Sequence, residues 1–315
     1  MKNIRIFLNE IPNLNTNDFR LVKEKILARS VEKRVPFYLE TPYNKLKCPF
    51  CNSFKKIKWG KRNLMQRYKC KECGKTFNSL TKTPLARLRK KENWLIYSNC
   101  LKQGITIRVA ASICKIHKNT SFRWRHRFLE NSNFIKAKLL GGIIDFKNIY
   151  FRESFKGCKS IPKRERRSVC VINSRDRCNN LFDLTDINLT EKNLDVNVTN
   201  KIIRGSILVA DQNQIYKTYS KRNNFKFKKH IDNKESLTRS YKIDSVNSYS
   251  LEFQDWVYNH FRGVATKYLK NYVSWFRGLN EFNSDIRPLT ILLRAKSIEK
   301  YRYQPLMFTD VLNKL

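Results

Sequence analysis

Apolar residues recur at helical spacing from the start of the chain. Ile4, Phe7, Leu8 and Ile11 share one face, and Pro12 stops that run. Asn15–Asp18 can cap a second helix over Phe19–Arg34, and Pro36, Pro42 and Tyr43 mark a linker. Residues 44–80 break into short polar and aromatic strands, and helical periodicity returns over 87–130. There the pattern predicts helices at Trp94–Gln103, ended by Gly104, at Arg108–Cys114, and at Thr120–Leu129 after the turn Lys115-Ile116-His117. Gly141-Gly142 opens a β-rich region with strands at Ile143–Phe151, Ser168–Asn173 and Ser206–Ala210, each rich in Ile, Val or Phe. From Val246 to Trp275 the spacing is helical again, interrupted at Gly263, and the last forty residues read as short helices. No fixed-period repeat is present. The pattern implies an α+β chain of several domains.

Charge narrows the function. The 315 residues include 65 Lys+Arg and 26 Asp+Glu, a formal net charge of +39. Such an excess points to a polyanionic partner, because clustered cations release counterions from phosphates on binding. A hydrophobic fraction of 41% and an aromatic fraction of 12% exclude a disordered basic tail. No stretch approaches the roughly 18 consecutive apolar residues of a membrane span, so a soluble, cytoplasmic, nucleoid-associated protein is expected, with no membrane partner.

Of the nine cysteines, four form two knuckles: Cys48-Pro49-Phe50-Cys51, then eighteen residues, then Cys70-Lys71-Glu72-Cys73-Gly74. Each Cys-x-x-Cys turn offers two thiolates to one ion, and four thiolates make a closed, structural zinc site. The intervening Lys55, Lys56, Lys58, Lys61, Arg62 and Arg67 place this ribbon near nucleic acid or are ordinary surface charge. The three helices after it read as a helix-turn-helix, with small Ala110 and Ala111 allowing close packing. In its last helix Trp124 and Phe128 face the core, while Thr120, Arg123 and Arg127 form a separate stripe, with Asn119 near the helix start. Those four are the candidate DNA contacts. Phe122 falls opposite the core face.

Several long strings, in order, resemble the zinc-ribbon insertion-sequence transposases of the ISXO type. They are Gln66–Asn78, Thr83-Pro84-Leu85-Ala86-Arg87-Leu88, Phe122–Leu129, Glu153-Ser154-Phe155-Lys156-Gly157 and Gly263–Leu269. The resemblance spans about Phe7 to about Leu279. It implies an RNase H-like DDE-type domain, in the branch with Asn in the third place. The implied chemistry is DNA transposition by two-metal phosphoryl transfer with Mg or Mn. The implied partner is double-stranded DNA at the element's terminal repeats, bound by a homo-oligomer. The corresponding division is an N-terminal helical region (1–43), zinc ribbon (44–80), helix-turn-helix (87–130), RNase H-like domain (139–280) and helical tail (281–315).

Carried over residue by residue, the second acidic position falls on Asp211, at the end of Ile207-Leu208-Val209-Ala210, and the third on Asn247. The first falls on Lys147, with Asp145 two residues earlier. Ser250 and Gln254 stand where the family has His and Lys, the basic loop Gly157–Arg167 is shorter, and Lys115 replaces a turn glycine. Residues 145 and 147 share a strand face but lie about 6.6–7 Å apart. An ammonium about 4 Å from a divalent ion costs roughly 8 kcal/mol at an effective dielectric of about 20. A Lys147–Asp211 ion pair in the metal site is therefore the simpler expectation. Three readings follow: a DNA-binding transposase copy with an impaired site, an active transposase using Asp145, Asp211 and Asn247, or a domesticated DNA-binding regulator. A basic RNA-binding protein fits the charge but not the helix-turn-helix strings.

Overall fold

The computed structural model of the chain describes residues 10–19, 22, 35–36, 38–130, 139–157, 165–186, 189–211, 214–229, 244–281 and 287–296. Most of the expected N-terminal helix over Phe19–Arg34, most of the basic loop after Gly157 and the chain beyond Lys296 lie outside them.

A small antiparallel sheet comes first, in the order β1 (Lys56–Arg62), β2 (Met65–Cys70), β3 (Thr76–Phe77). Its own core is little more than Leu46, Tyr68 and Phe77 packed around Cys48 and Cys70. Three strands this short bury too little apolar surface to stand alone. Something else must hold them, and the cysteines are the obvious means.

Three helices follow: α1 (Trp94–Lys102), α2 (Ile107–Ile113) and α3 (Lys118–Leu129). Gly104 ends α1 with φ +67°, and the Ile105 N–H donates back to Cys100 at 3.0 Å. The turn before α3 uses the same left-handed geometry at Lys115, φ +49°, where a side chain costs about 1–2 kcal/mol that glycine avoids. Trp94, Tyr97, Trp124 and Phe128 pack edge to face at ring separations of 5.2–6.4 Å. The same core takes in Val35 and Leu39 and, from α8 (Pro288–Lys296), Ile291, Leu292 and Ala295. The stretch around Pro36, expected as a linker, is thus packed: Val35 and Leu39 are fully buried.

The larger sheet is mixed, in the order β6-β5-β4-β7-β8. Here β4 is Ile143–Arg152, β5 Ser168–Asp176, β6 Leu181–Asp186, β7 Ile207–Ala210 and β8 Lys226–Lys229. β4, β5 and β6 are antiparallel neighbours, while β7 runs parallel to β4 and β8 parallel to β7. Alternation along β4 assigns its two faces. Ile144 and Phe146 pack toward α4 (Glu191–Asn197) and α5 (Gln214–Arg222), meeting Leu194, Tyr216 and Tyr219. Ile149 and Phe151 pack toward α6 (Asp244–Asp255) and α7 (Thr266–Glu281), meeting Tyr249, Phe253, Leu269 and Val273. A π-helical turn, Trp256–His260, extends α6. Gly263 at φ +83° breaks it before α7 resumes.

The sequence pattern did not predict β6, β8, α4 or α5. β8 reads Lys-Phe-Lys-Lys, with no apolar alternation, and exists because its backbone pairs with β7. α4 did carry a usable signal: the Thr190 hydroxyl caps it, accepting from the Asn193 N–H at 3.3 Å. Among the described residues no helix is long and apolar enough to cross a membrane.

Candidate functional site

Three groups of residues carry candidate chemistry. The first is the cysteine cluster. The sulfurs of Cys48, Cys51, Cys70 and Cys73 all lie within 4.8 Å of one another, with Cys48–Cys73 at 3.6 Å and Cys51–Cys70 at 3.5 Å. The two knuckles are built alike. The Asn52 N–H donates to Cys48 at 2.9 Å and the Gly74 N–H to Cys70 at 3.2 Å. Each turn then closes on a left-handed residue, Asn52 at φ +61° and Gly74 at φ +67°. Backbone N–H donation from Cys73, against burial, brings the Cys70 thiol down to about 7. The Ser53 N–H favours ionisation of Cys51, but burial and the neighbouring Cys70, Cys48 and Cys73 sulfurs push it up to about 12. Four thiolates cannot form so close together without a cation. A tetrahedral Zn–S bond of about 2.3 Å sets sulfurs about 3.8 Å apart, which this cluster accommodates, so these four side chains can hold zinc.

The second group lies on α3. The His117 ring caps the helix, accepting from the Asn119 N–H at 3.3 Å. Asn119 and Arg123 are exposed, while Thr120 and Arg127 are half-buried, with Arg127 3.9 Å from Glu130. Phe122, unexplained by the sequence pattern, lies edge-on against His126 at 4.4 Å and against Tyr268 of α7 at 5.9 Å. His126 stacks on Tyr268 at 3.5 Å. Neither His126 ring nitrogen has a hydrogen-bond partner among the described residues. Burial, reinforced by the charges of Arg125 and Lys267, drives its pKa down to about 3. Arg125 is fully buried, donates to the Ile105 carbonyl and lies over the Phe261 and Trp275 rings at 5.4 and 5.0 Å. The inner face of α3 is therefore tied to α7, while Asn119 and Arg123 face outward.

The third group lies on the α6-facing side of the large sheet, where β4 and β7 run side by side. Asp145 aligns with Val209 and Phe146 with Ala210, so the chain leaving β7 brings Asp211 beside Lys147. The Lys147 ammonium sits 3.1 Å from the Asp211 carboxylate, both partly exposed. Val246 at the start of α6 packs on Val209, and Asn247 follows it on the same helix. The Asn247 Oδ1 is buried and accepts no hydrogen bond from the described residues. Lys147 pairs in register with Asn173, whose amide donates to Ser250 at 2.8 Å. Asn173 carried no sequence signal, because its place is set by strand pairing.

Asp145 is on the same face but elsewhere in role. It is 1% exposed, and Arg177 grips it with two bonds, at 2.5 and 3.2 Å. On β6, Asp183 is wholly buried with Arg277 at 3.4 Å and the Tyr249 hydroxyl at 3.2 Å. Burial raises it to about 7, although Arg277 and Tyr249 oppose the rise. Among the described strand residues on this face, each of the three aspartates at or next to the sheet thus faces a basic side chain: Asp145–Arg177, Asp183–Arg277 and Asp211–Lys147. Arg177 was a missed partner, since nothing in its local sequence links it to a residue 32 positions away.

Among solved structures, the chain resembles a pre-cleavage Mos1 transpososome, at 12% identity and a TM-score of 0.21 over 62% of this chain and 75% of that one. It also resembles the Mos1 strand transfer complex, at 12% identity and a TM-score of 0.20 over 65% and 79%. At those scores the likeness carries no structural detail. No curated protein matches the sequence. A family model gives more: residues 139–277 match the ISXO2-like transposase domain.

Proposed function

We propose that the chain is a DNA-binding protein of the transposase type whose strand-transfer site no longer holds divalent ions. The observation that carries this reading is the Lys147 ammonium, 3.1 Å from Asp211, in the place where the family resemblance puts the first carboxylate. Two-metal transfer needs carboxylates that bridge both ions. Lys147 offers a cation instead, and Asp145 is already bound by Arg177. The residues present do not fit a divalent pair. What this site can do is hold charge: Lys147 neutralises Asp211.

Strand order β6-β5-β4-β7-β8, with the first three antiparallel and the last two parallel to β4, supports an RNase H-like assignment for 139–280. The cysteine geometry supports a zinc ribbon over 44–80, where zinc would join two turns that their own core cannot hold. The succession α1-α2-α3, with Asn119 and Arg123 outward, supports a helix-turn-helix over 87–130 with α3 as the DNA-reading helix. The net charge of +39 supports double-stranded DNA as the partner. The active-enzyme alternative requires Asp145 to leave Arg177 and reach across to Asp211, and the buried bidentate pair opposes that.

The test is a plasmid nicking assay with magnesium and with manganese on wild type, Asp145→Ala and Asp211→Ala. The expected result is no nicking by wild type. Robust wild-type nicking that is lost in both variants overturns the impaired reading and establishes the active enzyme.

A further inference from the structure

A concentration of basic residues outside the sites above lies where the small sheet meets the helical core. A groove of about 500 Å³ runs between β1, β2 and β3 on one side and residues 78–91 on the other. Both walls are anchored. On the sheet side Phe77 belongs to the cysteine-ribbon core. On the other, Leu80, Leu85 and Leu88 plug into the core of Trp94 and Trp124, and the wall is folded by tight turns such as Ala86 N–H to Thr83 at 2.9 Å. Six lining residues are basic, namely Arg62, Arg67, Lys82, Arg87, Arg89 and Lys91, and none is Asp or Glu.

We infer that this groove binds the phosphate backbone of duplex DNA as a second contact, separate from α3 and blind to sequence. The inference rests on the DNA-binding reading above and extends it to a surface that no recognition helix occupies. Arg87 has an interaction of its own; the other five cations, with no carboxylate among the lining residues, make a site that gains by taking up an anion, because each phosphate neutralised releases condensed counterions. The groove is also not a base-stacking platform. Its exposed aromatic, Phe50, has the Lys75 and Lys82 ammoniums over its ring at 5.0 and 4.9 Å. The ring face that could receive a base is covered by charge, so the ring carries cations toward a backbone. The lining polar groups include hydroxyls and amides of Asn63, Thr76, Asn78, Thr81 and Thr83, which can donate to phosphate oxygens.

The experiment measures DNA affinity of the zinc-loaded full chain against salt concentration, on one duplex of fixed sequence. Wild type is compared with the triple variant Arg62→Gln, Lys82→Gln, Arg89→Gln, all exposed positions. A control of equal charge loss carries Lys192→Gln, Lys217→Gln and Lys270→Gln, also exposed and far from the groove in sequence. The slope of log K against log salt should shrink by about 0.9 for each lost phosphate contact, near 2.7 for the triple variant. The control should keep the wild-type slope, and preference between two duplex sequences should not change in the groove variant. Unchanged slope in the groove variant, or an equal loss in the control, overturns the groove while leaving the DNA-binding reading intact. Absence of any wild-type DNA binding overturns that reading and the groove with it. Tighter binding of a duplex RNA of the same sequence overturns the assignment to DNA.

Discussion

Replacing Lys147 with aspartate exchanges an ammonium for a carboxylate at the point where β4 faces Asp211. In wild type the Lys147 nitrogen is 3.1 Å from Asp211, with side-chain exposures of 31% and 51%. A pair this exposed is screened, and its own contribution to stability is about 0–1 kcal/mol, so Lys147→Asp and Lys147→Ala should both fold. The effect on divalent ions is larger. At about 4 Å in water a unit charge interacts with a unit charge by about 1 kcal/mol, hence with a divalent ion by about 2. With both side chains open to solvent, screening brings the interaction from the roughly 8 kcal/mol of a dielectric of about 20 toward this water limit. Lys147→Ala removes about 2 kcal/mol of repulsion, and Lys147→Asp adds a comparable attraction, about 4 kcal/mol in all. These correspond to roughly 30-fold and 1,000-fold tighter binding. The assay is a manganese titration by calorimetry on wild type, Lys147→Ala, Lys147→Asp and the double variant Lys147→Asp, Asp211→Ala. Wild type binding manganese as tightly as Lys147→Asp, or a gain that survives loss of Asp211, would refute a repulsive role for Lys147. Full nicking activity need not return, because Ser250 is held by Asn173 and Asp145 by Arg177.

The remaining expectations can be checked on the purified chain. A strong chelator should remove zinc from the cysteine cluster, unfold residues 44–80 and weaken DNA binding, as should Cys70→Ser, because the ribbon core is too small to persist without the metal; an ordered, zinc-free ribbon by NMR would oppose this. Arg123→Ala with Arg127→Ala should erase sequence preference in a footprint, Arg123 by direct contact and Arg127 less, since Glu130 already engages it; an unchanged footprint would remove α3 from the recognition role. His126 should make the fold acid-sensitive. Its folded pKa, about 3, lies below the unfolded value of about 6.5. The unfolded chain therefore binds the extra proton between those values, and stability is lost as pH falls from about 6.5 toward 3, by up to about 1.4 kcal/mol per unit. Denaturant melts between pH 7 and 5 should show that decline in wild type and a flatter profile in His126→Phe; identical profiles would refute it.

Local chemistry was legible in the sequence wherever one short segment contained the whole cause. Two Cys-x-x-Cys turns needed only their own residues and a following Asn52 or Gly74 able to adopt positive φ. The three helices before residue 130 announced themselves by periodicity and by Gly104, and β4, β5 and β7 by runs of Ile, Val and Phe. Other features depend on partners far away in the chain, and only the tertiary structure decided them. β8 has one apolar residue and is a strand because β7 offers it a backbone edge. Phe122 looked misplaced on its helix until α7 supplied Tyr268. Asp145 could be read as a spare metal ligand until sheet pairing set Arg177 against it, and Lys147 meets Asp211 across 64 positions because β4 and β7 are parallel neighbours in one register. Periodicity reports which face of an element is apolar. It carries no information about which distant charge the polar face will meet, because that depends on strand order and register, which are set by the packing of the whole sheet.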